Sequence, residues 1–225
     1  LAAVARWASA DLIHLNHPAF GVGDFHAPVI AVAHSCVATW WRAVRGGALP
    51  EDFAWRSELV QAGYQRAAAV LAPSAAFAHM TAEAYRLFRQ PIVVRNGRSH
   101  PAKDRPRRGS SAAFAFTAGR LWDDGKNLCA LDRAAGRLRH PIVAAGPTTG
   151  PNGAAIQFER IRALGTLDCN TLDHWLRRAP LFVSTARYEP FGLCVLEAAQ
   201  RGCALVLSDI PSFRELWDDV AEFAP

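Results

Sequence analysis

Two carboxylates, Glu189 and Glu197, stand eight positions apart around Pro190-Phe191-Gly192. The run Leu181 to Ser184 ahead of them reads as a strand, Thr185-Ala186-Arg187-Tyr188-Glu189 as a polar loop, and Gly192 to Arg201 as a helix. Proline suits the first turn of a helix, and Gly192 would let a ligand come close to the backbone. Free N–H groups at that helix start would attract a diphosphate. Glu197 lies in a largely apolar run, where a carboxylate is costly unless it accepts hydrogen bonds. Taken alone, the pair favours a plain reading, with Glu189 a first-turn carboxylate helped by the helix dipole and Glu197 facing solvent. Were both helical, eight steps would leave them about 80° apart. With Glu189 in the loop and Glu197 a turn and a half inside the helix, both could address one polyhydroxyl ligand.

A second polar group follows the strand candidate Ala113 to Thr117: Ala118-Gly119-Arg120-Leu121-Trp122-Asp123-Asp124-Gly125-Lys126-Asn127. A glycine after a strand, with Arg120 and Lys126 ahead of a helix, suits diphosphate binding. Considered by itself, it reads more readily as a basic loop. His34 ends the run Val29 to Ala33, where a lone histidine is usually structural; His14 and His17 flank another strand end and read as structural or cleft-lining. Ser74 is placed to cap the helix that follows it. Trp40, Trp41, Arg42 and Arg45 fit equally a buried tryptophan pair with solvated arginines or an aromatic, basic membrane-facing surface.

The elements that must position these residues alternate along the chain. Strand candidates are 11–15, 29–33, 69–72, 92–95, 113–117, 142–145, 181–184 and 204–208; helical patterns cover 51–68, 75–89, 127–138, 171–178 and 192–201. Several strands are apolar throughout, as parallel strands covered on both faces are. Strand then helix, repeated, predicts an α/β chain with doubly wound parallel sheets, whose ligands bind beyond the carboxyl ends of strands. The pattern breaks once, between Arg98 and Ser111. The expected division is a domain over 1–99, a linker over 100–111 and a second domain over 112–225.

Bulk properties exclude several classes. A net charge of +5 is mild, and its concentration in Lys103-Asp104-Arg105-Pro106-Arg107-Arg108 reads as a solvated linker before a nucleic-acid patch. Five cysteines without a C-x-x-C pair predict neither a zinc site nor a disulfide scaffold, but reduced small hydrophobes in a cytosolic protein. Apolar runs such as Pro28 to Ala33 are too short to cross a bilayer. The chain starts at Leu1, inside what reads as a helix over 1–10 with no leader pattern, so an incomplete start is expected.

Ser184 to Ala198 closely resembles the E-x7-E signature of retaining glycosyltransferases with the GT-B fold, in the large group called family 4. The likeness continues through Gly202 and Ala204-Leu205-Val206-Leu207-Ser208-Asp209 to Arg214-Glu215-Leu216. Gly119, Arg120, Lys126 and Asn127 resemble the family's GR…KN element, whose Arg and Lys neutralise the donor diphosphate. Val143-Ala144-Ala145-Gly146-Pro147 is similar to its strand ending in a Gly-Pro turn. Leu164-Gly165-Thr166-Leu167 is similar to the loop beside the nucleotide base, and Val93-Val94-Arg95-Asn96-Gly97 to the turn closing the first domain. The resemblance implies two Rossmann-like parallel-sheet domains facing a cleft, the first of them incomplete.

It also implies transfer of a sugar, with retention, from a nucleoside diphosphate sugar to a glycan, lipid-linked or small-molecule hydroxyl acceptor. Neither cofactor nor metal is implied. Glu189 would contact the donor sugar, Glu197 the ribose hydroxyls, and the backbone of Phe191, Gly192 and Leu193 the sugar and diphosphate. Arg120 and Lys126 would hold the diphosphate beside Gly119, and Leu167 would lie near the base. His34 would approach the sugar from the first domain. The glycine-rich loop after the family's first strand and the segment that completes its second domain have no counterpart here, and Arg187 stands where a small or apolar residue is usual. Other readings are a sugar-nucleotide epimerase or phosphorylase of similar fold, and a non-catalytic sugar-nucleotide-binding domain. The expected location is the cytoplasm, with contact at the inner membrane face left open.

Overall fold

The computed structural model describes residues 1–99 and 113–225, which divide into two compact units, Leu1–Asn96 and Gly97–Pro225. The expected linker and its basic stretch lie outside the described residues. The first unit runs α1 (Ala2–Trp7), β1 (Ile13–Leu15), a 3-10 turn (Pro18–Val22), β2 (Val29–Val32), α2 (Val37–Val44), α3 (Glu51–Arg66), β3 (Ala69–Ala72), α4 (Ala75–Tyr85) and β4 (Ile92–Val93). Its strands form one parallel sheet in the order β1-β2-β3-β4, with Ile13 opposite Val29, Ile30 opposite Ala69 and Leu71 opposite Ile92. Ile13, Leu15 and Val29 pack on Ala5, Phe25 and Ala27, and the Tyr64 and Tyr85 rings meet edge to face at 5.2 Å.

Helix ends follow local chemistry. Ser74 caps α4, its buried hydroxyl accepting the Phe77 N–H at 3.2 Å. α4 stops at Tyr85, short of the expected residue 89, because Arg86 turns into the left-handed region (φ 48°) and the Leu87 N–H bonds the Ala82 carbonyl. α2 was not foreseen. Cys36 caps it through Sγ, an unusual acceptor for the Thr39 N–H, at 3.4 Å. Trp40 and Trp41 are half-buried on this helix, the Trp41 and Phe53 rings lie 6.2 Å apart and tilted by 42°, and Arg45 lies 5.6 Å over the Trp40 ring. Arg42 pairs with Glu83 at 3.0 Å. Among the described residues no helix is long and apolar enough to cross a membrane.

The second unit contains β5 (Ala115–Ala118), a 3-10 turn (Asp124–Lys126), α5 (Leu128–Ala135), β6 (Ile142–Ala145), β7 (Arg162–Ala163), α6 (Cys169–Arg178), β8 (Leu181–Ser184), α7 (Leu193–Gln200), β9 (Ala204–Ser208), α8 (Pro211–Trp217) and β10 (Ala221–Ala224). All its strands are parallel, in the order β10-β9-β8-β5-β6-β7. Alternate residues serve opposite faces. Phe116, Val143, Phe182, Leu205 and Leu207 join Leu176, Val195, Ala198 and Phe213, whereas Ala115, Ile142, Ala144 and Val183 join Leu128 and Leu131. Both faces are covered, which is why these strands read as unbroken apolar runs. β7, α8 and β10 had no counterpart in the sequence reading.

Asp132 of α5 ties the edge of this sheet together. Its buried carboxylate accepts the backbone N–H groups of Glu159 at 3.1 Å, Arg160 at 3.0 Å and Ile161 at 2.9 Å, just ahead of β7. Burial pushes its pKa up, but these three amides outweigh it and hold the carboxyl below its ordinary value. Replacing Asp132 by alanine orphans three donors and should cost roughly 2–3 kcal/mol in denaturant unfolding at pH 7. Because the folded pKa is depressed, the native contribution is fully present above the unfolded value of about 3.9 and is lost as pH falls through the folded one. Asp132→Asn should lack that acid-linked loss.

Candidate active site

In the second sheet the strand order reverses at β5: the chain proceeds one way through β6 and β7, and the other through β8, β9 and β10. A crevice is expected beyond the carboxyl ends of adjacent strands at such a reversal. A pocket lies there, lined by Gly119 and Lys126 after β5, by Ser184 at the end of β8 and Thr185, Glu189 and Gly192 after it, and by Cys194 in the first turn of α7.

Backbone and side-chain bonds lock the two loops together. The Arg187 and Tyr188 N–H groups both donate to the Gly125 carbonyl, at 2.9 and 3.2 Å, and the Thr185 hydroxyl donates to the Lys126 and Asn127 carbonyls at 3.1 and 3.2 Å. On this frame the Lys126 ammonium forms an ion pair with Glu189 Oε2, both side chains about four-fifths buried (20% and 17% exposed). The other carboxylate oxygen of Glu189 accepts the Phe191 N–H at 3.4 Å, and its carbonyl accepts the Ser212 hydroxyl at 2.5 Å. Arg120 is anchored differently. Buried Asp123 accepts the Gly125 N–H on one oxygen and the Arg120 guanidinium on the other, each at 2.8 Å, leaving the Arg120 side chain 56% exposed.

The helix start differs from the expected one. α7 begins at Leu193, so Pro190 lies before the helix rather than in its first turn, and Gly192 is its N-cap residue with φ 90°. A Cβ at Gly192 would stand 3.1 Å from the Phe213 ring, so packing as well as conformation calls for glycine. The first amides of α7 have no carbonyl one turn earlier to bond, which suits an anion. Phe191 is buried, leaving its backbone as the part facing Glu189. The Arg187 side chain is exposed, so its size meets no packing constraint. Leu167 is half-buried against the larger core cluster. Glu197 is not solvent-facing in isolation: its Oε1 lies 2.6 Å from Arg98 Nε.

His34 belongs to the first unit. It is exposed beyond β2, its Nε2 lies 3.3 Å from Asn16 Oδ1, and Asn16 directly follows β1. The pair therefore marks the carboxyl edge of the first sheet. His14 is exposed on β1, and the exposed His17 ring sits 5.7 Å from Phe20. Thr185, Asp123 and Ser212 escaped the sequence reading as positioning groups. Asp123-Asp124-Gly125 could have been read as an Asx turn; nothing local points from Ser212 to Glu189, 23 residues earlier.

Comparison with known proteins places this geometry. Residues 113–223 match the family model of glycosyl transferases group 1. Over an alignment of 232 positions, gaps included, the chain is 32% identical to glycogen synthase of Mycobacterium tuberculosis, with 91% of this chain and 53% of that protein covered. The chain thus spans about half the length of the curated relatives it matches. Among solved structures, sucrose-phosphate synthase from Thermosynechococcus elongatus superposes with a TM-score of 0.78 at 18% identity, over 99% of this chain and 62% of that one. Anabaena HepE, solved in complex with UDP and glucose, gives 0.69 at 19% identity, over 99% and 66%. The fold is that of a GT-B glycosyltransferase. Within this GT-B chain, the matched domain holds the Lys126–Glu189 pocket and every expected donor-binding residue, while His34 lies outside it.

Proposed function

We propose that the protein is a retaining glycosyltransferase of family 4 type, moving a sugar from a nucleoside diphosphate sugar to a hydroxyl acceptor in glycan or cell-surface polysaccharide synthesis in the cytoplasm. The observation that carries this reading is the Lys126–Glu189 ion pair, which joins the cation of one motif to the carboxylate of the other at the reversal of the sheet. The group 1 match and the glycogen synthase relative support it. The HepE complex shows a protein of this fold holding UDP and glucose.

In this mechanism the bond from the anomeric carbon to the diphosphate oxygen breaks as the acceptor oxygen bonds the same face of that carbon. The acceptor proton passes to the departing diphosphate. Arg120, Lys126 and the first turn of α7 stabilise the negative charge that develops there, work that a divalent metal performs in other sites, so no metal is required in this scheme. Glu189 positions the sugar hydroxyls and Glu197 the ribose hydroxyls. The backbone of Phe191, Gly192 and Leu193 meets the sugar and diphosphate, Gly119 leaves room beside it, and Leu167 lies near the base. His34 orients the sugar from the first unit. In the resting site Lys126 and Glu189 neutralise each other; the donor exchanges that pair for diphosphate on Lys126 and hydroxyls on Glu189.

A screen of UDP-, GDP- and ADP-sugars, read as nucleoside diphosphate released with and without hydroxyl acceptors, tests this function. Turnover of one nucleotide class is expected. Tight binding without release would indicate a non-catalytic binding domain, and an epimerised sugar would indicate an epimerase.

A further inference from the structure

Arg98 belongs to neither donor motif, yet it is the partner of Glu197. Its Nε lies 2.6 Å from Glu197 Oε1, with the Arg98 side chain 51% exposed and that of Glu197 22%. A carboxylate so far withdrawn into the apolar run of α7 needs a cation or donor. On its own helix the neighbours one turn earlier are Leu193 and Cys194, and the cation one turn later, Arg201, is ion-paired with Asp173. Cys194, in the wall of the donor pocket, lies within electrostatic reach of this pair. Its thiol is pushed up to about 11, first by burial and then by the Glu197 charge, opposed by Lys126, reinforced by Glu189 and opposed by Arg98. The two ion pairs, Lys126–Glu189 and Arg98–Glu197, thus act on one thiol in the pocket wall.

We propose that Arg98 is a positioning residue for the donor: by holding Oε1 it fixes the Glu197 carboxylate and leaves Oε2 for the ribose hydroxyls. The proposal rests on the donor reading given above. A guanidinium donates through a rigid planar fork, so it fixes the direction of the carboxylate as well as its charge. Arg98 touches no reacting atom in this scheme. Its effect therefore falls on nucleotide affinity and donor KM, with kcat little changed.

The test is calorimetric titration of the protein with UDP, GDP and ADP, followed by the 2′,3′-dideoxy form of whichever binds most tightly. Arg98→Gln should weaken the ribonucleotide roughly tenfold, the scale of one charge-assisted hydrogen bond, and leave the dideoxynucleotide unaffected. Arg98→Lys should recover part of the loss. In a Glu197→Ala background, Arg98→Gln should cost nothing further. Unchanged or tighter ribonucleotide binding in both Arg98 variants would overturn the proposal, and so would an equal loss for the two nucleotides. If the wild-type protein binds none of the three, the donor reading itself fails and this inference falls with it. Binding by wild type with no effect of Arg98 removes only the inference.

Discussion

Replacing Lys126 by alanine is expected to lower sugar transfer about 10²- to 10³-fold, the usual cost of removing one preorganised group that faces developing charge. The loss should appear in kcat as well as kcat/KM, because the leaving diphosphate gains charge in the transition state. The same substitution strands Glu189 in a setting where only 17% of its side chain is exposed, so roughly 2–3 kcal/mol of stability should go with it. The two effects are separable. Lys126→Met combined with Glu189→Gln removes both charges and should restore most of the melting temperature while transfer stays at least as low as in Lys126→Ala. Recovery of transfer along with stability would mean that Lys126 serves only the fold.

Gly146→Ala should be the most damaging single substitution in the second unit. Gly146 directly follows β6 with φ +138°, and a Cβ there would stand 1.8 Å from the Gly119 carbonyl oxygen. That atom belongs to backbone held by the Gly119 N–H bond to the Ala145 carbonyl at 3.0 Å, so it has little freedom to retreat. On the other side the Gly146 N–H donates to the Gly165 carbonyl at 2.8 Å. Three loops on the ligand side of the sheet thus lean on one another through glycines. The combined strain and overlap should cost about 3 kcal/mol or more, visible as a lower midpoint in denaturant unfolding. Nucleotide affinity should fall in the fraction that remains folded, because Gly119 moves.

Much of the framework was legible because burial on both faces leaves so plain a mark. β3, β6, β8 and β9 fall on the residues their unbroken apolar runs indicated. The missed elements lacked such marks. β7 is a two-residue exposed strand, and β10 is short and alternates. α4 ends on an arginine in a left-handed conformation, where a glycine or asparagine would have announced the stop. α2 was a different failure, since its apolar residues 37, 40, 41 and 44 carry a helical spacing that could have been read. Within the site, the motif residues were visible as types and spacing, whereas their pairing was not. That Lys126 would meet Glu189 across 63 residues, Ser212 would hold the Glu189 carbonyl and Arg98 would hold Glu197 depends on strand order. No local pattern encodes that order.

The most direct measurement is NMR of the transfer product formed in the first minutes from an α-configured nucleoside diphosphate sugar, using the nucleotide class selected by the release screen. The one-bond C1–H1 coupling at the new anomeric centre reports its configuration, including for manno-configured sugars, where the H1–H2 coupling does not. An α-linked product is expected, with no such product from Lys126→Ala on the same timescale. A β-linked product would contradict same-face substitution assisted by the leaving diphosphate.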